Sequence, residues 1–231
     1  MRYKELTFEG RNAVIEAFRS GKTIDKLFIL DGCQDGPIKS IVREAKKTST
    51  IINYVDKERL DRLANTGHHQ GVVAIGAAYE YAEVEDILEA ARSKGEAPFI
   101  FVLDEIEDPH NLGAIIRTAN LAGAHGVIIP KRRAVGLTAT VAKTSAGAIN
   151  YTPVAKVTNI ANTIEALKKE GLWFVCADMG GETMYNLDLK GPIGLVIGNE
   201  GNGVSRLVKE KCDFVASIPM KGDIDLSLIH I

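Results

Sequence analysis

The sequence predicts an α/β protein in two parts, a small domain of alternating strands and helices followed by a larger one on a sheet of five or six largely parallel strands. Three observations carry this expectation. Residues 99–130, FIFVLDEIEDPHNLGAIIRTANLAGAHGVIIP, read as a buried strand, an acidic loop with a proline, a helix and a second buried strand, which is a βαβ unit. Short apolar runs alternate with amphipathic helical patterns along the rest of the chain, as parallel strands with helical crossovers require. Residues 77–97, with the acidic run EYAEVEDILEAARSKGEA, separate two charge compositions: thirteen Lys and Arg to ten Asp and Glu before them, thirteen to fourteen after. The expected domains are 1–76 and 98–231, with 77–97 a linker that contains a short helix.

In order, Gly10 and Arg11 precede a helix over 12–20, which Gly21 closes as a C-cap. KLFIL (26–30) is a strand, 37–48 a helix, IINYV (51–55) a second strand and DKERLDRLAN (56–65) a short amphipathic helix. GVVAIGA (71–77) is a third strand, entered through His68, His69 and Gln70. In the larger part, a helix over 112–122 turns Leu112, Ile115, Ile116 and Ala119 to the sheet, which leaves Asn111 and Arg117 near its exposed start. An exposed helix start beside an arginine suits an anion such as phosphate. A helix over 137–148 follows the basic triplet Lys131, Arg132 and Arg133. Then come TPVAKV (152–157) as a strand, a helix over 160–170 ended by Gly171, and LWFVCAD (172–178), a strand with Trp173 and Phe174 in the core. PIGLVIG (192–198) is a buried strand, 202–211 a helix and VASIPM (215–220) a closing strand.

At 231 residues, 45% hydrophobic and 25% charged, the chain is ordinary globular material, which excludes disordered and fibrous classes. No apolar run approaches a membrane span, and the start MRYKELTFEG lacks the apolar core of a signal peptide; a cytoplasmic protein without a membrane partner is expected. Cys33, Cys176 and Cys212 are too scattered for a metal set, so no metal and three buried, reduced thiols are expected. A net charge of −2 argues against nucleic-acid binding through bulk charge alone. Arg11, His68, His69 and Gln70 read either as a loop that caps and turns or as contacts to phosphates and bases. For the basic triplet, solvated charge and a phosphate contact compete.

Two loops after buried strands carry the chemistry, DPHNLGAIIR and GNEGNGVS. Gly198, Gly201 and Gly203 permit tight turns and close backbone approach to a ligand, while Asn199 and Glu200 offer polar side chains. Neither loop has the glycine spacing of an ATP or dinucleotide site.

Asn111-x-Gly113-x-x-x-Arg117, Gly198-Asn199-Glu200-Gly201-x-Gly203 and Ile218-Pro219-Met220-x-Gly222, in this order, resemble the three motifs of the SpoU (TrmH) family of RNA ribose 2'-O-methyltransferases. Residues 1–76 resemble that family's RNA substrate-binding domain, similar to a ribosomal-protein fold. GRNAVIEA and HHQGVVA look most like the branch that methylates a guanosine ribose in large-subunit (23S) ribosomal RNA. The resemblance implies a SPOUT-type parallel sheet with a C-terminal trefoil knot, a homodimer, a ribosomal RNA partner and S-adenosylmethionine as cofactor. Carried over, it places Asn111, Arg117 and Glu200 in the catalytic cluster and Gly198, Asn199, Gly201, Ile218, Met220 and Leu228 at the cofactor. Arg11, His69, Gln70 and Lys143 become candidates for RNA contact. The family casts Arg117 as a base, whereas a guanidinium holds its proton in proteins. A clamp on the target phosphate that also stabilises a developing alkoxide suits it better.

The chain departs from the family at its end, where Gly222 is followed by DIDLSLIHI instead of a Ser-Leu-Asn-Val-Ser run that opens a final helix. A truncated or frameshifted reading frame is expected, with an incomplete knot. Two other readings stay open: the same chemistry on transfer RNA, and an RNA-binding or ribosome-assembly protein without turnover.

Overall fold

The computed structural model describes residues 6–219. Two compact units emerge, one running to Glu80 and including Gly136–Ala139, the other comprising Tyr81–Val135 and the chain from Thr140 on.

The first unit runs β1 (Leu6–Glu9), α1 (Arg11–Arg19), β2 (Ile24–Leu30), α2 (Gly36–Lys47), β3 (Ile51–Val55), α3 (Lys57–Leu63) and β4 (Val72–Gly76). Its sheet has the order β1-β4-β2-β3, with β4 antiparallel to both neighbours and β2 parallel to β3. The period of two along β2 sends Leu27 and Ile29 into a core with Val14, Ile38, Ile41 and Val72, and Phe28 to the other face with Leu60 and Val73. Aspartates start two of the helices: Asp35 accepts the Ile38 N–H at 3.1 Å, and Asp56 the Arg59 N–H at 2.8 Å.

The sequence reading lacks β1, four partly exposed residues on the sheet edge whose pairing with β4 supplies the order that their pattern does not show.

The second unit runs α4 (Val84–Lys94), β5 (Phe99–Leu103), α5 (Pro109–Leu121), β6 (Gly126–Pro130), α6 (Ala139–Thr144), β7 (Val154–Val157), α7 (Ile160–Lys169), β8 (Trp173–Thr183), β9 (Ile193–Ile197), α8 (Arg206–Lys211) and β10 (Phe214–Ser217). The six strands among the described residues are all parallel, in the order β10-β8-β9-β5-β6-β7, as the buried runs predict. Ile100, Val102, Ile128, Phe174 and Val196 meet Ile87, Ile160, Ile164 and Val208 of α4, α7 and α8 in one core.

Several expectations change. Residues 77–97, expected as a linker with a short helix, divide at Glu80, and the helix, α4, buries Ile87, Leu88 and Ala91 in the second unit. The helix after β5 starts at Pro109, earlier than expected, with Asp108 accepting the His110 N–H at 2.6 Å; proline is at home in the first turn. That carboxylate occupies the helix start where an anion was expected. The helix expected over 137–148 shrinks to α6 and a 3-10 turn, Ala148–Asn150, because Ala146 and Gly147 take left-handed conformations. Ahead of it the chain returns to the first unit, where the Ala78 N–H donates to the Leu137 carbonyl at 2.8 Å.

Trp173 is 54% exposed rather than in the core, since adjacent strand residues face opposite ways and Phe174 takes the inside. Among the cysteines only Cys176 is fully buried, and all three are free. Among the described residues no helix is long and apolar enough to cross a membrane, and no acidic, His or Cys cluster could hold a metal. Met220, Leu228 and the departure from the third motif lie outside the described residues.

Candidate active site

Parallel strands bring all their carboxyl ends to one edge, and β5 and β9 are neighbours, with Leu103 opposite Ile197. The loops that follow them therefore leave the sheet side by side. Asp104 fastens them together: its N–H donates to the Ile197 carbonyl at 2.8 Å, and its buried carboxylate accepts the Ser205 N–H at 2.8 Å. Asn199 shapes the second loop. Its backbone pairs both ways with Gly203, its Oδ1 accepts the Gly201 N–H at 2.8 Å, and its Nδ2 donates to the Glu105 carbonyl at 2.9 Å. Gly198 is required by this closure, because a Cβ there would run into the Gly203 and Val204 backbone.

With the loop so fixed, Glu200 stands exposed, and its Oε2 accepts from Asn111 Nδ2 at 3.3 Å. Asn111 is held in the first turn of α5. Behind that turn a Cβ on Gly113 would overlap Thr144 Oγ1, which donates to the Thr140 carbonyl at 2.9 Å and lies 3.2 Å from the Pro109 carbonyl, so glycine is what lets α6 approach. The structure thus brings Asn111 and Glu200 together. Arg117 lies six residues further along α5, about 9 Å on and a third of a turn round. It is exposed, with no ion pair or hydrogen bond from its side chain among the described residues. Ile218 follows the end of β10 and is 37% exposed, and Lys143 is exposed on α6.

Two acids in the first loop went unassigned in the sequence. Besides Asp104, Glu105 takes a left-handed φ of 59° and accepts from Arg133 Nη1 at 2.9 Å, which keeps the guanidinium more firmly protonated than usual. The run DEIEDP marks these residues as acidic, and their roles emerge only once β9 is placed beside β5.

The polar cluster of the first unit is largely satisfied internally. Arg11 pairs with Asp35 at 2.6 Å and donates from Nε to the Gln70 carbonyl at 3.2 Å, while its N–H donates to Gln70 Oε1 at 3.2 Å. His69 is 7% exposed; its Nδ1 accepts the Gly71 N–H at 3.0 Å and its Nε2 lies 2.9 Å from Asp61. With Nδ1 accepting, Nε2 carries the proton and donates it to Asp61. These two contacts fix the His69 ring within the loop.

These features define a two-unit α/β protein with a polar site at the carboxyl edge of a parallel sheet. Comparison with known proteins narrows the class. Residues 98–228 match the SpoU rRNA Methylase family and residues 8–82 match RNA 2'-O ribose methyltransferase substrate binding. The chain belongs to the SpoU methylase family. It is 52% identical over 216 residues to YacO of Bacillus subtilis, provisionally named a TrmH family tRNA/rRNA methyltransferase; the match spans 93% of this chain and 86% of that one. A Staphylococcus saprophyticus protein provisionally named to the same family is 48% identical over 223 residues, 96% of this chain and 89% of its own. Among solved structures, the SpoU methyltransferase AviRb from Streptomyces viridochromogenes, in complex with the cofactor AdoMet, matches with a TM-score of 0.58. It is 24% identical over 98% of this chain and 85% of its own. An AdoMet-bound rRNA methyltransferase from Sinorhizobium meliloti matches at 0.57 and 23%, over 98% and 83%. These two likenesses are ones of fold.

Proposed function

We propose that the chain transfers a methyl group from S-adenosylmethionine to the ribose 2'-hydroxyl of a guanosine in large-subunit (23S) ribosomal RNA. The observation that carries this reading is the contact of Asn111 with Glu200 across the two loops, with the unpaired Arg117 further along the same helix. Methyl transfer is an in-line displacement, so the protein must orient the hydroxyl and stabilise charge that develops on its oxygen. Glu200 and Asn111 orient the hydroxyl by accepting from it and donating to it. Arg117 offers a fixed fork of N–H donors to the neighbouring phosphate and to the developing alkoxide.

The described residues fit the cofactor. The loop over 198–205 presents neutral backbone groups, a Cβ on Gly201 would meet only Asn199 Oδ1, at 3.5 Å, among the described residues, and the exposed apolar Ile218 follows β10, two strands from β9. Gly198, Asn199, Gly201 and Ile218 would hold it, and when bound it supplies a methyl group activated by a sulfonium. Family membership and the cofactor-bound relatives support this assignment. The trefoil knot and the homodimer implied by the resemblance belong to the same proposal, as do the cytoplasmic location expected from the sequence and RNA contacts from Arg11, His69, Gln70 and Lys143.

GRNAVIEA and HHQGVVA, which resemble the branch that acts on large-subunit ribosomal RNA, favour ribosomal RNA over transfer RNA. The test offers unmodified 23S RNA and unmodified transfer RNA to the full chain with labelled S-adenosylmethionine. Label on the ribosomal RNA is expected. Label on transfer RNA alone would move the substrate, and label on neither would favour an RNA-binding or ribosome-assembly role.

A further inference from the structure

The cations of the first unit are concentrated. α2 carries Lys39, Arg43, Lys46 and Lys47 against one acid, Glu44, a net of three positive charges that equals the whole excess of residues 1–76. On α3 and its cap, by contrast, Lys57, Arg59 and Arg62 are balanced by Asp56, Glu58 and Asp61. The α2 cations fall at i, i+4, i+7 and i+8, on one stripe away from the buried Ile38, Ile41 and Ala45. With the half-buried Val42 they line a shallow surface depression of about 490 Å³.

Helix stability explains only part of this stripe. Lys46 and Lys47 complement the helix dipole in the last turn, and Lys47 pairs with Glu44 at 2.9 Å. Lys39, at the fourth helical position, stands toward the positive end of the dipole, where a cation gains nothing. The side chains of Lys39 and Lys46 meet no carboxylate among the described residues. Lys47 foremost, with Arg43 and, from α1, Arg19, holds the Glu44 carboxyl below its usual range, so the stripe lies in a wider positive field.

We propose that this face of α2 binds the phosphodiester backbone of the RNA substrate. The inference rests on the RNA reading above and adds, to the contacts proposed for Arg11 and Gln70, a helix face that holds the RNA backbone. From Lys39 to Lys47 the stripe runs about 12 Å, the length of three to four nucleotides of one strand. A protein partner would need an apolar anchor, and among the described residues Val42 is the one apolar side chain in the depression; phosphates need charge alone. Contacts of this kind set register on the RNA without reading its sequence.

The test compares the full-length chain, a K39Q/R43Q/K46Q variant and a K57Q/R59Q/R62Q control in binding unmodified 23S RNA from 50 to 300 mM KCl. All six side chains are exposed, and circular dichroism checks that each variant folds. The α2 variant should bind at least tenfold more weakly at 150 mM salt. Its slope of log affinity against log salt should flatten by about 2, for three lost phosphate contacts. It should also raise the KM for RNA and leave kcat unchanged, whereas the α3 control should change the slope by less than about 1. A wild-type slope in the α2 variant, or an equal loss in the control, would overturn the proposal while leaving the methyltransferase reading intact. Failure of the wild-type chain to bind or methylate any RNA would overturn both.

Discussion

Each unit carries an arginine that the sequence marks as functional, yet the two arginines end in opposite states. Arg11 is spoken for, with Asp35 on one side and the Gln70 carbonyl on another. Arg117 is exposed on α5 without a side-chain partner among the described residues. The difference shows how polar residues divide their work. Where the fold leaves backbone groups to be fastened, as at Gln70, Asn199 or Asp104, side chains are consumed in holding loops. Where loops are already fastened, side chains such as Arg117 and Glu200 keep capacity for a ligand.

If that division is right, the largest effect on turnover comes from the unpaired arginine. Arg117→Ala should lower methyl transfer by roughly 10²-fold or more, the scale of losing a donor aimed at developing charge, with stability within about 0.5 kcal/mol of wild type. Arg117→Lys should not restore near-full turnover, because a point charge does not reproduce the fork; near-wild-type rates would remove both the base and the clamp roles. Asp104→Ala should act on stability instead. It leaves the half-buried Ser205 N–H without its acceptor and should cost about 1–3 kcal/mol in urea unfolding. Asp104→Asn keeps an acceptor oxygen and should cost less.

Arg11→Ala removes a partly exposed ion pair, so about 0–1 kcal/mol is expected, with kcat unchanged and any loss of activity confined to the KM for RNA. A kcat loss equal to that of Arg117→Ala would erase the contrast between the two arginines. The smallest effect is a pH dependence. The Thr66 hydroxyl, helped by the Asn65 and Thr66 N–H groups, donates to the Glu9 carboxylate and holds its pKa below the ordinary value. A carboxyl lowered in the folded state stabilises above its unfolded pKa of about 4.3, and loses that contribution as pH falls through the folded value. The stability gap between wild type and Glu9→Gln should therefore be constant above about pH 5 and shrink below about 4.3.

Periodicity made β5, α5, β6 and the parallel sheet readable, because buried parallel strands are apolar throughout and their crossover helices carry a clear apolar face. It could not reveal β1, whose four residues gain their order from β4, or the return of Gly136–Ala139 to the first unit. Both depend on partners distant in sequence. α4 looked like a linker because its exposed face is acidic, although Ile87 and Leu88 follow helical spacing into the core. At the site, the family motifs brought Asn111 and Glu200 into one cluster, and the structure joins them. Asp104 stayed hidden among the acids of its loop, since only the adjacency of β5 and β9 separates a fastening carboxylate from a solvated one.

The most direct test reads where the methyl group goes. Unmodified 23S RNA is incubated with labelled S-adenosylmethionine and either the wild-type chain or Arg117→Ala, then digested to nucleosides and separated. Label in 2'-O-methylguanosine from the wild-type chain, lost in the variant, is the predicted result. Label on a base, or undiminished transfer by Arg117→Ala, would contradict the account.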